Sequence, residues 1–447
     1  MYREHRARLM AELSARKAAA VIPTATPKVR NHDCDYRFRP DSDFWYLTGF
    51  AEPGSVLVLT PGLAAAEDAA ARAPQSVLFL RERDAEMETW NGRRLGVERA
   101  CEALGVDRAR PIGELWEALP ELLKGYARVV WRTGLDQERD RRMIGVLEKL
   151  RRMARSGVVA PSELIDTAAV VHELRLRKDA AELECLRKAA EITREAHLAA
   201  MAAAAPGRGE HELEALLEYT FRRRGSTGPA YTSIVAGGAN ACILHYTEND
   251  QPLRDGELLL IDAGAEWEYY ACDVTRTFPV NGTFTAEQRA IYELVLESQT
   301  AAIAAVRPGA TLQAIHEATS ERLARGLIGL GLVAGELETV LAEERCKRFF
   351  MHKTGHWLGL DVHDCGAYTL EDGPRALEAG MVTTVEPGLY VAADDETVEE
   401  RWRGIGVRIE DDVLVTAGGN EVLTAAIPKS VDEVESACRD GVLASVS

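Results

Sequence analysis

Three apolar, β-branched runs in the second half of the chain each carry a carboxylate. "LLLIDAG" ends on Asp262, "MVTTVEPGLY" turns on Glu386, and "GIGVRIEDDVLV" holds Glu410. A lone carboxylate in such a run is expensive to bury without a partner. Asp273 adds a fourth, eleven residues after Asp262 in the next β-like segment. If the two segments form a hairpin about Trp267–Glu268, positions 262 and 273 are directly opposed and share a face. Two carboxylates on one face of a buried strand pair repel unless a cation or proton lies between them. The segment alone leaves a second reading open, with Asp262 opening the turn "DAG" and Asp273 on a solvated edge. The pair Glu386/Glu410 shifts the balance, although Arg408 offers Glu410 a simple salt-bridge partner. Four such acids with one imidazole form a hard, oxygen-dominated donor set. That set suits Mn²⁺ better than a thiolate-loving metal, with room for two ions about 3.5–4 Å apart.

The imidazole comes from "MHKTGHWLGLDVHD", which places His352, His356 and His363 within a dozen residues, in a chain with ten histidines. His352 and His356 have the i, i+4 spacing of a HExxH zinc helix. The intervening "KTG" lacks the glutamate, and Gly355 weakens a helix, so a zincin is excluded. Beside four strand carboxylates at least one of the three is expected to be a ligand; spacing does not say which. His245, in "GGANACILHYTEND", follows a Gly-rich turn and by itself reads as a loop histidine. Cys272 points away from Asp273 if 271–277 is extended, and is expected to be packing.

Strand–helix alternation up to about residue 172, with "SVLVL" (55–59), "SVLFL" (76–80) and "RVVW" (128–131) between amphipathic stretches such as 97–105, indicates an α/β domain. An Ala-rich piece at 63–73 reads as a surface loop. After "ELRLRKDA" (173–180) the pattern changes. A long helix to about 204 is followed by another over 209–225, with Gly225 as its C-cap. A third, over 285–299, opens with the capping box Thr285–Gln288. Strands are expected at 257–263, 269–280, 381–386 and 405–415. Helices grouped apart from hairpin strands indicate an α+β half with a largely antiparallel sheet. The expected domains are 1–173 and 174–447.

The formal net charge of −18 argues against nucleic acid and anionic lipid as partners. No apolar run nears the ~18 residues needed to span a bilayer. The charged N-terminus lacks an apolar signal core, and eight scattered cysteines without a CxxC pair read as cytosolic thiols. A soluble, cytoplasmic protein is expected.

The set Asp262, Asp273, His356, Glu386 and Glu410 resembles the metal centre of the pita-bread metallopeptidases, most closely the bacterial type of Xaa-Pro aminopeptidase (aminopeptidase P). "DSDFWYLTGFAEPGSVLVL" (41–59) and "TWNGRRLG" (89–96) resemble that family's creatinase-like N-terminal domain. "HKTGHWLGLDVHD", "TVEPGLY" and "RGIGVRIEDD" resemble its catalytic motifs. The resemblance implies a pita-bread catalytic domain holding two Mn²⁺ per chain. Asp262 would chelate one manganese, His356 and Glu386 would serve the other, and Asp273 and Glu410 would bridge both. A hydroxide held between the metals would attack the scissile carbonyl. Glu386 would also move the proton to the leaving nitrogen. His363 and His245 would hold substrate and stabilise the oxyanion. His352 would be a further substrate-side histidine, and Arg408 would orient carboxylates.

The implied substrates are peptides with proline second, and the implied assembly is a homotetramer or dimer closed by the N-terminal domain. Prolidase is the nearest alternative, since it shares the fold, the ligands and the histidines. Methionine aminopeptidase usually lacks such an N-terminal domain, and creatinase does not keep the ligands. Metal-free pita-bread binding modules have lost the acids that this chain retains.

Overall fold

The computed structural model describes residues 1–63 and 71–444, so most of the Ala-rich loop expected at 63–73 lies outside the described residues. Two compact units result, Met1–Arg175 and Leu176–Ser447. The first is built on a mixed six-stranded sheet of β1 (Ala18–Pro23), β2 (Val56–Thr60), β3 (Gln75–Leu80), β4 (Arg108–Pro111), β5 (Arg128–Val130) and β6 (Glu163–Ile165), in the order β4-β3-β2-β1-β5-β6. Alternate residues of β1 and β2, such as Val21, Val56 and Val58, pack on the apolar faces of α2 (Leu115–Leu123) and α3 (Gln137–Arg152). The opposite face meets α1 (Tyr2–Arg16) and the short helix Ser42–Thr48. A sheet covered on both faces explains why "SVLVL" and "SVLFL" read as continuous apolar runs rather than alternating ones.

In the second unit, α4 (Ala180–Ala203) starts on a capping box at Asp179–Glu182, and α5 (Glu210–Arg223) ends before Gly225, which adopts φ 90°. The box at Thr285–Gln288 opens α6 (Ala286–Ala305), and α7 (Leu312–Gly329) follows. All strand pairs of this unit are antiparallel. β7 (Ile234–Gly237), β8 (Leu258–Asp262) and β11 (Thr275–Pro279) form one sheet. β12 (Val382–Val385), β15 (Asp411–Thr416) and β16 (Gly419–Val422) form another, while β13 (Gly388–Tyr390) pairs with β14 (Gly406–Arg408). Among the described residues no helix is long and apolar enough to cross a membrane.

The hairpin after β8 corrects the register expected from sequence. Its tip, β9 (Ala265–Trp267) and β10 (Tyr270–Ala271), turns on Glu268 and Tyr269, both at positive φ, not on Trp267–Glu268. Asp262 therefore lies opposite Thr275, and Asp273 is its diagonal neighbour two residues away. The shift is even, so it preserves the shared face. Cys272 points the other way and packs with Ala189, Ala190, Val274 and Ile427.

Behind the strands, His197 of α4 is fully buried and its Nε2 lies 2.9 Å from the Ala263 carbonyl. Burial pushes its pKa down to about 4. The unfolded chain then binds the extra proton more readily, so stability is full above about pH 6.5 and is lost as pH falls towards 4. A His197→Gln variant keeps a donor for that carbonyl without the titration. Denaturant melts at pH 7 and pH 5 should show the parent losing about 2 kcal/mol more than the variant.

Candidate active site

Three of the four acids sit where a strand breaks. Asp273 falls between β10 and β11, Glu386 between β12 and β13, and Glu410 between β14 and β15. At each of these points the extended run leaves one sheet and joins another. These breaks correct the continuous strands expected at 269–280 and 405–415, and they turn the acids into one cavity.

That cavity has a volume of about 960 Å³ and is walled by all nine residues singled out from sequence: Asp262, Asp273, His356, Glu386, Glu410, His245, His352, His363 and Arg408. One ligand-capable atom each of Asp273, His356 and Glu410 lie within 4.8 Å of one another. His356 Nε2 is 3.3 Å from Asp273 Oδ2 and 3.7 Å from Glu386 Oε1. Asp262 stands apart from this group, held by the Tyr231 hydroxyl and by Arg408 Nη2, each donating at 2.7 Å. Glu410 accepts from Thr275 Oγ1 at 2.7 Å. The simple reading of Arg408 as the salt-bridge partner of Glu410 is thereby corrected. Its guanidinium reaches Asp262, Thr275 Oγ1 at 2.9 Å and the Tyr390 hydroxyl at 3.1 Å.

No helix forms around His352 and His356. Instead the segment lies against β12: the Thr384 amide donates to the His356 carbonyl at 2.9 Å, and that of Glu386 to Thr354 at 2.8 Å. Gly355 permits the approach, since a Cβ there would stand 2.0 Å from the Thr384 carbonyl oxygen. The His356 ring is fixed from behind, its Nδ1 3.0 Å from the Trp357 carbonyl. His363 lies beside it, with ring centroids 4.1 Å apart. His352 lies between the Lys353 carbonyl and the Tyr390 hydroxyl, 2.8 Å from each.

The charges do not balance within the protein. Burial, then the neighbouring acids Asp273, Glu386 and Asp262, drive the Glu410 pKa far up. Burial likewise raises Asp262, and raises Glu386 to about 7. Burial opposes a charged His356, but Asp273 and Glu386 hold its pKa up at about 9. His352, desolvated and near Arg408, drops to about 4. Four carboxylates, Asp273 and Glu410 buried and Asp262 and Glu386 partly so, face one guanidinium and one imidazole and lack positive charge, and the donors are carboxylate oxygens plus an imidazole nitrogen. This set fits hard divalent cations.

Tyr231, Thr275 and Tyr390 were not singled out from sequence. Thr275 shares the parity of Asp273, and Tyr390 closes the quoted "TVEPGLY". Nothing in its local sequence distinguishes Tyr231.

An acid-walled cavity on an antiparallel α+β unit of this kind defines a pita-bread metallohydrolase. Residues 184–417 match the model of metallopeptidase family M24, and residues 2–131 match the aminopeptidase P N-terminal domain. The chain is 47% identical to Xaa-Pro aminopeptidase of Escherichia coli K12, over 94% of this chain and 93% of that protein. Pseudomonas aeruginosa aminopeptidase PepP superposes with a TM-score of 0.93 at 47% identity, covering 99% of this chain and 98% of the other. E. coli aminopeptidase P with the inhibitor Pro-Leu gives 0.92 at 44% identity, covering 99% of both chains. The chain belongs to metallopeptidase family M24, among its Xaa-Pro aminopeptidases.

Proposed function

We propose that the protein removes the N-terminal residue from peptides whose second residue is proline, using two Mn²⁺ ions held by Asp262, Asp273, His356, Glu386 and Glu410. The convergence of these four acids and one imidazole on one cavity carries the reading, in a chain similar throughout to Xaa-Pro aminopeptidases. Asp273 and Glu410, which group with His356, would be the carboxylates shared by the two ions. When bound, the cations acidify water and polarise the scissile carbonyl.

The protein's own groups do the rest. Glu386, at the edge of the cavity beside His356, takes a proton from water and delivers it to the leaving proline nitrogen. That nitrogen belongs to a tertiary amide without an N–H, so a site that needs no donor from the substrate suits it. His245 and His363, which line the cavity, would hydrogen-bond the oxyanion, and His352 would contact the substrate chain. Arg408 orients Asp262.

Because one guanidinium spans Asp262, Thr275 and Tyr390, a lysine cannot replace it. Arg408→Lys should weaken divalent-metal affinity by about 10–100-fold, measured by calorimetric titration. An affinity equal to the parent's would remove Arg408 from this role.

Mass spectrometry of products from an Xaa-Pro-Yaa tripeptide and, separately, an Xaa-Pro dipeptide tests the reaction. Release of Xaa from the tripeptide with poor dipeptide turnover is expected. Dipeptide cleavage alone makes the enzyme a prolidase, and no product from either leaves a binding protein. The same reading makes it a cytoplasmic homotetramer or dimer, checked by light scattering on the eluting protein.

A further inference from the structure

The histidines of the cavity are not held alike. His352 and His356 have hydrogen bonds to their rings. Among the described residues no group hydrogen-bonds the ring of His245. Its place is set by its own backbone segment. Leu244, His245 and Thr247 face the cavity, while Tyr246 turns inward and is buried.

The inward side of that segment converges on one carboxylate. Glu210, the first residue of α5, is 0% exposed. Its Oε1 accepts from the Gly237 amide at 2.8 Å and Asn240 Nδ2 at 3.0 Å. Its Oε2 accepts from the Tyr246 hydroxyl at 2.8 Å and the Gln251 amide at 2.9 Å. All four donors lie between 237 and 251, on both sides of His245. A side chain at Gly237 would crowd Glu210, since a Cβ there stands 3.3 Å from Oε1. A carboxylate is the one side chain that can accept at all four points without presenting a donor.

We propose that Glu210 is a positioning residue that fixes His245 against the substrate through the 237–251 segment. The proposal rests on the substrate-side role given to His245 above. Glu210→Gln turns one acceptor into an NH₂ facing two donors, so the segment must move. A displacement near 1 Å can lower the rate by about 100-fold. Tyr246→Phe removes one of the four bonds, worth about fivefold if it is expressed in the transition state.

The test measures kcat and KM on an Xaa-Pro-Yaa peptide for the parent, Glu210→Gln, Tyr246→Phe, His245→Ala and the double variant Glu210→Gln/His245→Ala. Metal content and hydrogen exchange of 237–251 are followed by mass spectrometry. We expect a fall in kcat with parental metal content, faster exchange in 237–251, and a double variant no slower than His245→Ala alone. Losses that multiply in the double variant overturn the proposal, as does parental exchange in Glu210→Gln. If Glu210→Gln does not fold, Tyr246→Phe and its double with His245→Ala give the same comparison. Full activity in His245→Ala with fast exchange in Glu210→Gln supports the hold on the segment and overturns the role of His245 instead.

Discussion

Asp273→Ala and Glu410→Ala should each reduce Xaa-Pro-Yaa hydrolysis below about one thousandth of the parental kcat, a larger effect than loss of a single oxyanion donor. Both acids lie in the tight group with His356, so either change removes an oxygen from the centre of the donor set. The fold should survive, because neither side chain is part of an apolar cluster. Near-parental turnover in either variant sinks the bridging assignment. A second readout separates electrostatics from packing. In chelator, Glu410→Gln should melt several degrees above the chelated parent. Glutamine keeps the bond from Thr275 Oγ1 but not the buried charge that Asp273, Glu386 and Asp262 repel. A chelated variant no more stable than the chelated parent means the cluster is not strained as the pKa shifts imply.

Stripping divalent metal should abolish turnover, and Mn²⁺ should restore it together with thermal stability. At a hundredfold excess over Kd, binding to the folded state alone adds about 2.7 kcal/mol. Elemental analysis of the restored protein should return about two ions per chain. The stabilisation depends on pH, with a definite sign. In the metal-free protein Glu386 titrates near 7, and Glu410 and Asp262 are raised too. A carboxyl whose folded pKa exceeds its unfolded value binds protons preferentially in the folded state. Its contribution is present below about pH 4.5 and is lost as pH rises to about 7. The slope opposes that of His197, so each is read against its own variant, here Glu386→Gln. Mn²⁺ should therefore raise the melting temperature more at pH 8 than at pH 5. Equal shifts at the two pH values contradict a cation-compensated acid cluster.

Much of this molecule is legible in one dimension. The strands Val56–Thr60, Gln75–Leu80 and Leu258–Asp262 coincide with apolar runs, and the capping box at Thr285–Gln288 opens a helix as its residues require. The four acids stand out because burying them in β-branched surroundings is costly, and a cost of that size needs a reason in the sequence. The turn at Glu268–Tyr269 does not stand out. Both residues adopt positive φ without the Asn-Gly or Asp-Gly signal of such turns, so the packed hairpin, not local preference, holds them there.

Sequence alone singled out the candidate side chains: Asp262, Asp273, Glu386 and Glu410 are conspicuous by type and setting, while the separate roles of the histidines came only with the family resemblance. Tertiary structure alone decided how they meet. It set the strand breaks that aim three of the acids, and the diagonal register of Asp262 and Asp273. It also matched Arg408 to Asp262 rather than to Glu410, and gathered four donors from 237–251 around Glu210. The physical reason is that periodicity and burial cost are properties of a segment. Register, hydrogen-bond partners and mutual repulsion belong to pairs of segments, and those exist only once the chain has packed.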